Sequence, residues 1–138
     1  MTHSRFPKSV LLALVLLSAC QAEPLQTDAP LTGSWGGPSI ALQFEGSDGK
    51  LEYDCASGSI DGPVRPDHDG KFKAHGTHVP QHGGPTVEGQ DPNVLPADYW
   101  GQVRGDQLTL SVRVPSLQLT LGPFSLRRRA SARLMRCL

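Results

Sequence analysis

The chain has 138 residues and no formal net charge at neutral pH. Its 15 glycines and 12 prolines are too many for a helical bundle or a coiled coil, because both residue types interrupt helices. A hydrophobic content of 38% suits one compact core and excludes a multi-span membrane protein, and the lack of net charge gives no indication of nucleic-acid binding. Length and composition therefore predict a single small domain.

The first 20 residues have the features of an export leader. Arg5 and Lys8 form a positive segment, and the apolar run 10–17 follows them. This run is shorter than the roughly 20 apolar residues that a helix needs to cross a bilayer. It ends in Leu-Ser-Ala-Cys at positions 17–20, which resembles the lipobox of bacterial lipoproteins.

The resemblance to bacterial lipoproteins implies a signal peptide over residues 1–19 and a lipid anchor on Cys20. Gln21 stands where an aspartate would favour the inner membrane, which implies the periplasmic face of the outer membrane. Residues 20–31 have no usable hydrophobic period and are expected to form a tether that reaches at most about 35 Å. The folded domain is then expected over residues 32–138.

Apolar and polar residues alternate with a period of two through the rest of the chain, as in half-buried strands. No segment keeps a helical period over three turns. Short turn-forming segments separate the alternating runs, so consecutive strands are expected to pair antiparallel. We predict eight strands, near 34–45, 50–56, 58–64, 71–79, 97–104, 107–114, 117–127 and 132–137.

Eight strands of this length can close on themselves, and closure removes the exposed edges that promote aggregation. The pattern therefore predicts an all-β fold, a small eight-stranded antiparallel up-and-down barrel, with an open β-sandwich as the alternative. The apolar phase slips by one residue at Gly122-Pro123, which predicts a β-bulge there. The positions expected to face inward are Ile40, Leu42, Phe44, Leu51, Tyr53, Phe72, Tyr99, Val103, Leu108 and Leu110.

Gly33-Ser34-Trp35 opens the first predicted strand, and arginines lie in the last one. This arrangement resembles lipocalin-like barrels, in which a Gly-x-Trp element packs under a C-terminal arginine at the closed end. The resemblance implies that Arg133 or Arg136 covers Trp35. The segments GSWGG, LEYDCASGSIDGP and HGGP also resemble a family of uncharacterised bacterial lipoproteins, which implies no particular activity.

Cys55 and Cys137 are the two cysteines that remain once Cys20 carries lipid. Two thiols in an oxidising compartment most simply form a disulfide. A redox or metal role is the alternative, but the chain has no Cys-x-x-Cys motif to support it. We therefore predict a disulfide that ties the second predicted strand to the end of the chain.

His75, His78 and His82 lie within eight residues, and neutral imidazole binds Zn and Cu well. Residues three apart on a strand face opposite sides, however, so His75 and His78 converge only if the strand bends. Two interpretations remain open: a Zn or Cu site, or exposed histidines with His78 packed inside the barrel. No other cofactor is predicted.

The segment His82-Gly83-Gly84-Pro85 belongs to a long connection between predicted strands, over residues 80–96. Loops of this length in compact domains tend to be functional or disordered. Consecutive glycines expose backbone N–H groups that could bind an anion, or they simply turn the chain. The connection is a candidate lid over one end of the barrel.

Catalytic motifs are absent from the sequence. It has no Gly-x-Ser-x-Gly element, phosphate loop or dinucleotide fingerprint, and Asp67-His68-Asp69-Gly70 is typical of a turn. We therefore expect no enzyme activity and name no catalytic residue. The basic run 125–133 is interpreted as a solvated hairpin turn between the last two strands, with contact to anionic lipid headgroups as the alternative.

Two functions of different class remain. In the first, a filled barrel acts through its loops as an envelope protein-interaction, inhibitor-type or structural module. In the second, a hollow barrel holds a small apolar ligand. The expected partners are the membrane, through the N-terminal lipid, and either an envelope protein or such a ligand, but no nucleic acid. A cavity of several hundred cubic ångströms would favour the second function.

Overall fold

A computed structural model of the chain describes residues 29–82, 89 and 93–137. The predicted signal peptide and Cys20 lie outside the described residues, as do Gly83, Gly84 and Pro85 of the predicted loop. In the described part, no helix has the length and apolarity needed to cross a membrane.

Eight strands form one closed antiparallel barrel, which confirms the predicted architecture. They are β1 (Thr32–Gly37), β2 (Ile40–Glu45), β3 (Gly49–Tyr53), β4 (Ala56–Ile60), β5 (Lys71–Pro80), β6 (Leu95–Arg104), β7 (Gln107–Val114) and β8 (Leu119–Arg128). A short 3-10 helix, Pro115–Leu117, connects β7 to β8. Each strand pairs with its neighbours in sequence, and β1 closes the barrel by pairing with β8.

Two of the predicted strands are wrong, one at each end of the domain. The predicted strand 34–45 is in fact β1 and β2, because the chain reverses at Pro38 and Ser39. Ser39 has a φ of 65°, which no extended strand contains. At the other end, residues 132–137 form no strand, and Arg133 makes only an isolated parallel bridge to Pro38. The two errors cancel in the number of strands.

The predicted bulge at Gly122-Pro123 is confirmed. The ladder between β7 and β8 shifts register between Leu110 and Val112, opposite this dipeptide. Proline has no N–H to donate to a ladder, so the strand loses a regular pair there. The shift lets Leu121 and Phe124, which are three residues apart, both pack against the core.

Side chains from all eight strands fill the barrel interior. The largest of them, Trp35, Tyr99 and Phe44, are each only 1% exposed. Every residue predicted to face inward is buried except Val103, which is half-buried and packs against the same core. Four grooves of 450 to 610 Å³ that described residues line are open to solvent, and one of them reaches the buried Trp35, Leu42 and Leu51.

The two ends of the barrel differ in what covers them. The Leu31 end, as we call it, holds the start of β1 and the connection between β4 and β5. There the Leu31 N–H donates a 2.8 Å hydrogen bond to the Val64 carbonyl, and both side chains are buried in the core. The opposite end, called the Leu117 end, holds the 3-10 helix and the turns that follow β1 and β3.

The C-terminal tail, residues 129–137, runs along β1 from the Leu31 end towards the Leu117 end. The Arg129 N–H donates to the Ser34 carbonyl at 2.7 Å, and the Arg133 N–H donates to the Gly37 carbonyl at 3.2 Å. The basic run 125–133 is therefore no hairpin turn. Its first part belongs to β8, and its second part is this tail.

The tail ends in the predicted disulfide, which is confirmed. Cys55 and Cys137 are bonded, with their Cα atoms 5.1 Å apart. The Met135 N–H donates a 2.6 Å hydrogen bond to the Asp54 carboxylate beside it. Hydrogen bonds from the Ser39 side chain and the Met135 backbone lower the pKa of Asp54, so the carboxylate that holds the tail is ionised at neutral pH.

Removing the disulfide should weaken the fold markedly. Because it joins residues separated by 82 positions, replacing both cysteines with serine is expected to lower the free energy of unfolding by up to about 4 kcal/mol. Urea denaturation of the purified protein measures this. Reduced wild-type protein should unfold at the same urea concentration as the double variant. A loss below about 0.5 kcal/mol would contradict the expected role of the bond.

Candidate functional site

An arginine covers the buried tryptophan near the Leu31 end of the barrel. The Arg128 Cζ lies 4.3 Å from the centroid of the Trp35 ring, in cation–π contact. The guanidinium is held there by the Asp106 carboxylate, 3.3 Å from Nε, and by a 3.3 Å hydrogen bond to the Thr32 carbonyl. In the described part of the chain, Trp35 Nε1 is the one buried side-chain polar atom without a hydrogen-bond partner. Packing and the cation therefore hold this indole, rather than a hydrogen bond.

The predicted contact between Trp35 and an arginine is thus present, but Arg128 makes it and the predicted Arg133 or Arg136 does not. Trp35 pairs with Arg128 across the β1–β8 ladder, which places the two side chains side by side. Arg133 lies beyond β8 in the tail, exposed, and is fixed through its backbone. The prediction failed because it placed the last strand at residues 132–137, a strand that does not form.

These two arginines give a matched pair of variants. Arg128→Ala is expected to lower the free energy of unfolding by about 1–2 kcal/mol, because it removes the cation over Trp35. Arg133→Ala should change it by less than about 0.5 kcal/mol, since only its backbone makes contacts that hold the tail. Thermal or urea denaturation followed by tryptophan fluorescence measures both. Equal losses for the two variants would show that the Arg128 contact adds nothing.

A polar cluster lies inside the barrel, nearer the Leu117 end. The Tyr53 hydroxyl is 2.7 Å from Nδ1 of His78, which is itself only 3% exposed. The Tyr99 hydroxyl donates a 2.6 Å hydrogen bond to the Thr77 carbonyl. Gly58 makes room for the cluster, because a Cβ there would overlap the Tyr99 hydroxyl and lie 2.6 Å from the Thr77 oxygen. The buried polar groups are therefore paired with each other, as burial requires.

Three rings stack in a row across this part of the interior. The Tyr53 ring lies 5.5 Å from the His78 ring and 6.1 Å from the Phe124 ring, with interplanar angles of 15° and 10°. Burial raises the pKa of Tyr53 and of Tyr99, and it lowers the pKa of His78. All three groups are consequently neutral at physiological pH. A tyrosine with a raised pKa is a poor nucleophile and base.

The structure does not bring the three predicted metal ligands together. His78 points into the barrel, whereas the His75 side chain is 89% exposed on the outside, where its Nδ1 lies 2.8 Å from the Asp98 carboxylate. His82 is exposed beyond the end of β5. His75 and His78 lie on opposite faces of β5, because residues three apart on a strand point to opposite sides.

Another group of potential ligands among the described residues is Asp67, His68 and Asp69, all exposed. The Asp67 carboxylate accepts backbone hydrogen bonds from Asp69 at 2.9 Å and from Lys71 at 2.8 Å. These bonds lower the pKa of Asp67, with the Lys71 N–H contributing most. The group is the turn that the sequence predicted, and turn geometry accounts for its closeness.

An apolar rim surrounds the Leu117 end. Val94 and Leu117 are 51% and 49% exposed, and the 3-10 helix that carries Leu117 packs against β6. Just inside them, Leu95 and Leu119 are half-buried against the core. We call these four residues the Leu117 rim. The sequence analysis did not identify it, because it placed Leu117 in the predicted strand 117–127 and Val94 in the connection 80–96.

Comparison of the chain with profiles of known protein families, with curated proteins and with solved structures returned no match.

The buried histidine should make stability depend on pH in a defined direction. Burial lowers the pKa of His78 in the fold, so below the unfolded value of about 6.5 the unfolded chain binds a proton that the folded chain resists. Stability is therefore complete above about pH 7 and declines as the pH falls towards 5. In His78→Gln, this decline should be smaller when urea denaturation is measured across that range.

The control for this experiment is His75→Gln, on the outer face of the same strand. It removes an exposed histidine without touching the buried cluster, and should keep the wild-type decline. Identical pH dependence in wild type and His78→Gln would contradict the assigned role of His78.

Proposed function

We propose that this chain is a lipid-anchored protein of the bacterial envelope whose barrel is a protein-binding module, with the Leu117 rim as its contact surface. The lipobox-like sequence ending at Cys20 supports the anchor, and Gln21 supports the periplasmic face of the outer membrane. The Cys55–Cys137 disulfide fits an oxidising compartment such as the periplasm.

The filled interior carries this proposal. Trp35, Phe44 and Tyr99 occupy the space that a ligand would need in a hollow barrel of this kind. A partner would then bind at the surface, and exposed apolar side chains are the positions that favour contact with another protein. Val94 and Leu117 are such side chains, and they lie on one end of the barrel.

The position of the tether favours the same end. The described chain enters the barrel through Leu31, so a tether from Cys20 joins the molecule at the Leu31 end. The Leu117 rim lies at the opposite end and faces away from the attachment point. An anchor of at most about 35 Å would therefore hold the barrel near the membrane while the rim stays accessible to other envelope proteins.

A second candidate function is the binding of a small apolar ligand at the Leu117 end. The observation that favours it is that Leu119, Leu121 and Phe124 pack against the core but remain half-buried, beside the stacked Tyr53 ring. A narrow ligand could complete their burial. Native mass spectrometry of the purified protein separates the two functions, because a retained small molecule would support only this second one.

Site-specific photo-crosslinking tests the first function. A benzoylphenylalanine in place of Leu117 or of Val94, in cells that produce the full chain, is expected to give a covalent adduct with the same envelope protein from both positions. In the variant with benzoylphenylalanine at position 117, the additional change Leu119→Asp should abolish the adduct, because it places a charge in the apolar contact surface. The same probe at Gln43, on the outer face of β2, is the matched control and should give no adduct.

Cys20→Ala serves as the control for the anchor in the same cells. It removes the proposed lipid attachment site, so the protein should leave the membrane fraction and the adduct should become weaker. Absence of an adduct from both rim positions, or equal adducts from Gln43, would contradict the proposed contact surface. Unchanged membrane fractionation of Cys20→Ala would contradict the anchor.

A further inference from the structure

The second tryptophan of the chain lies on the outside of the barrel wall. Trp100 is in the middle of β6 and is 38% exposed, whereas Trp35 is 1% exposed. Its neighbours across the sheet are Lys73 on β5 and Ser111 on β7. Val94, Leu117 and Met135, the other exposed large apolar residues of the described chain, are outside the strands. Trp100 is therefore an isolated aromatic platform on a sheet face.

A groove of about 610 Å³ surrounds this platform. Outward-facing side chains of three strands line it, and Pro123 of the β8 bulge lines it as well. The bulge interrupts the ladder opposite Ser111, so the surface there is not a flat sheet. The polar residues that line this groove are Asp67, Lys71, Lys73, Gln102, Thr109 and Ser111, of which Ser111 is buried.

Two cations beside Trp100 form no ion pair with a carboxylate of the described residues. Lys73 borders the indole, and Arg113 lines an adjoining groove that shares Lys73 and Trp100. Among the described residues, neither Lys73 nor Arg113 forms an ion pair. Arg113 lies directly across the ladder from Asp98, but the Asp98 carboxylate lies 2.8 Å from the His75 ring on its other side.

The acidic group at the opposite edge of the groove is also engaged. Asp67 accepts two backbone hydrogen bonds and lies beside Lys71. The face centred on Trp100, which we call the Trp100 face, therefore carries three cations, Lys71, Lys73 and Arg113, against two carboxylates, Asp67 and Asp98, and both carboxylates are already hydrogen-bonded. A complementary ligand has a flat face that packs on Trp100 and carboxylates that reach the cations beside it.

We propose that the Trp100 face binds an acidic glycan of the uronic-acid type. A pyranose ring presents a flat face of C–H groups that packs on an indole, while its carboxylate reaches Lys73 or the fork of Arg113. The hydroxyl groups of the sugar would hydrogen-bond the Thr109 hydroxyl and the Gln102 side chain, which line the groove. A membrane surface fits less well, because the face is grooved and exposes one apolar residue, whereas interfacial binding needs several.

This site is on the side wall of the barrel and is independent of the Leu117 rim. The two surfaces share no residue, and each is tested without the other. A protein held near the membrane by its proposed anchor could then engage a polysaccharide through its side and a protein through its end.

The experiment uses a mannuronate tetrasaccharide as the probe and cellotetraose as its neutral counterpart. Titration of the full chain in detergent, followed by tryptophan fluorescence and calorimetry, is expected to show binding of the uronate, weakened by added salt. Trp100→Ala should weaken binding about tenfold or more, and Trp100→Phe should retain part of it. Lys73→Ala combined with Arg113→Ala should remove most of the salt dependence.

Lys50→Ala is the matched control, since Lys50 is an exposed lysine on β3 that is already paired with Glu45. It should leave the affinity unchanged. Thermal denaturation of each variant verifies that it is folded, and Trp100→Phe keeps the test valid if Trp100→Ala does not fold.

Three results would overturn the proposal. One is no uronate binding at about 10 mM, which is weaker than a useful specific contact. The second is equal binding of cellotetraose or unchanged binding in the folded Trp100 variants. The third is tighter binding of a poly-glutamate peptide or of phosphatidylglycerol vesicles than of the uronate, which would assign the face to an acidic protein or to lipid.

Discussion

Closure of the barrel between its first and last strands is the constraint on which the rest of the structure depends. Most neighbouring strands share long ladders, but the ladder between β1 and β8 has only two pairs, Trp35 with Arg128 and Gly36 with Arg127. The tail extends this short seam by placing its backbone along β1, close enough that a Cβ on Gly36 would overlap the Ala130 carbonyl. Glycine at this position is therefore required by the approach of the tail.

The disulfide fixes the C-terminal tail covalently to the barrel. It joins the far end of the tail to the turn between β3 and β4, on the opposite side of β1 from β8. A loop-closure contribution of about 4 kcal/mol is large beside a typical net stability of about 5–15 kcal/mol. Arg128 strengthens the same seam from the inside, because its contact with Trp35 crosses from β8 to β1.

The sequence predicted those features that repeat or that have a single local cause. Strand alternation predicted the barrel and its inward residues, and the change of phase at Gly122-Pro123 predicted the bulge, since both follow from the period of two. The disulfide followed from having two cysteines left to pair. The turn at Pro38-Ser39 was missed because serine at a positive φ has no strong sequence signal, unlike glycine or asparagine.

The candidate sites depend on long-range contacts that no local pattern contains. Arg128 could be identified only after the β1–β8 register was known, because from the sequence the arginines of the tail were equally good candidates to cover Trp35. Trp100 occupies an outward position in the alternation of β6, which the sequence alone indicates. The cations near it, Lys73 and Arg113, belong to two other strands, so the sequence of β6 does not predict them. The histidines show the converse case: closeness in sequence suggested a metal site, and strand geometry separates His75 from His78.

Amide hydrogen exchange at the seam, measured by NMR with the Cys55–Cys137 bond intact and with both cysteines changed to serine, tests the account of barrel closure most directly. The informative amides are those of Arg129, Arg133 and Ser39, which bond the tail to β1 and its turn. Without the bond, their exchange is predicted to accelerate at least about tenfold more than that of the β6 and β7 amides, because the C-terminal tail detaches locally from β1. Exchange at these three amides that stays unchanged, or that rises no more than in β6 and β7, would contradict the claim that the stapled tail closes the barrel.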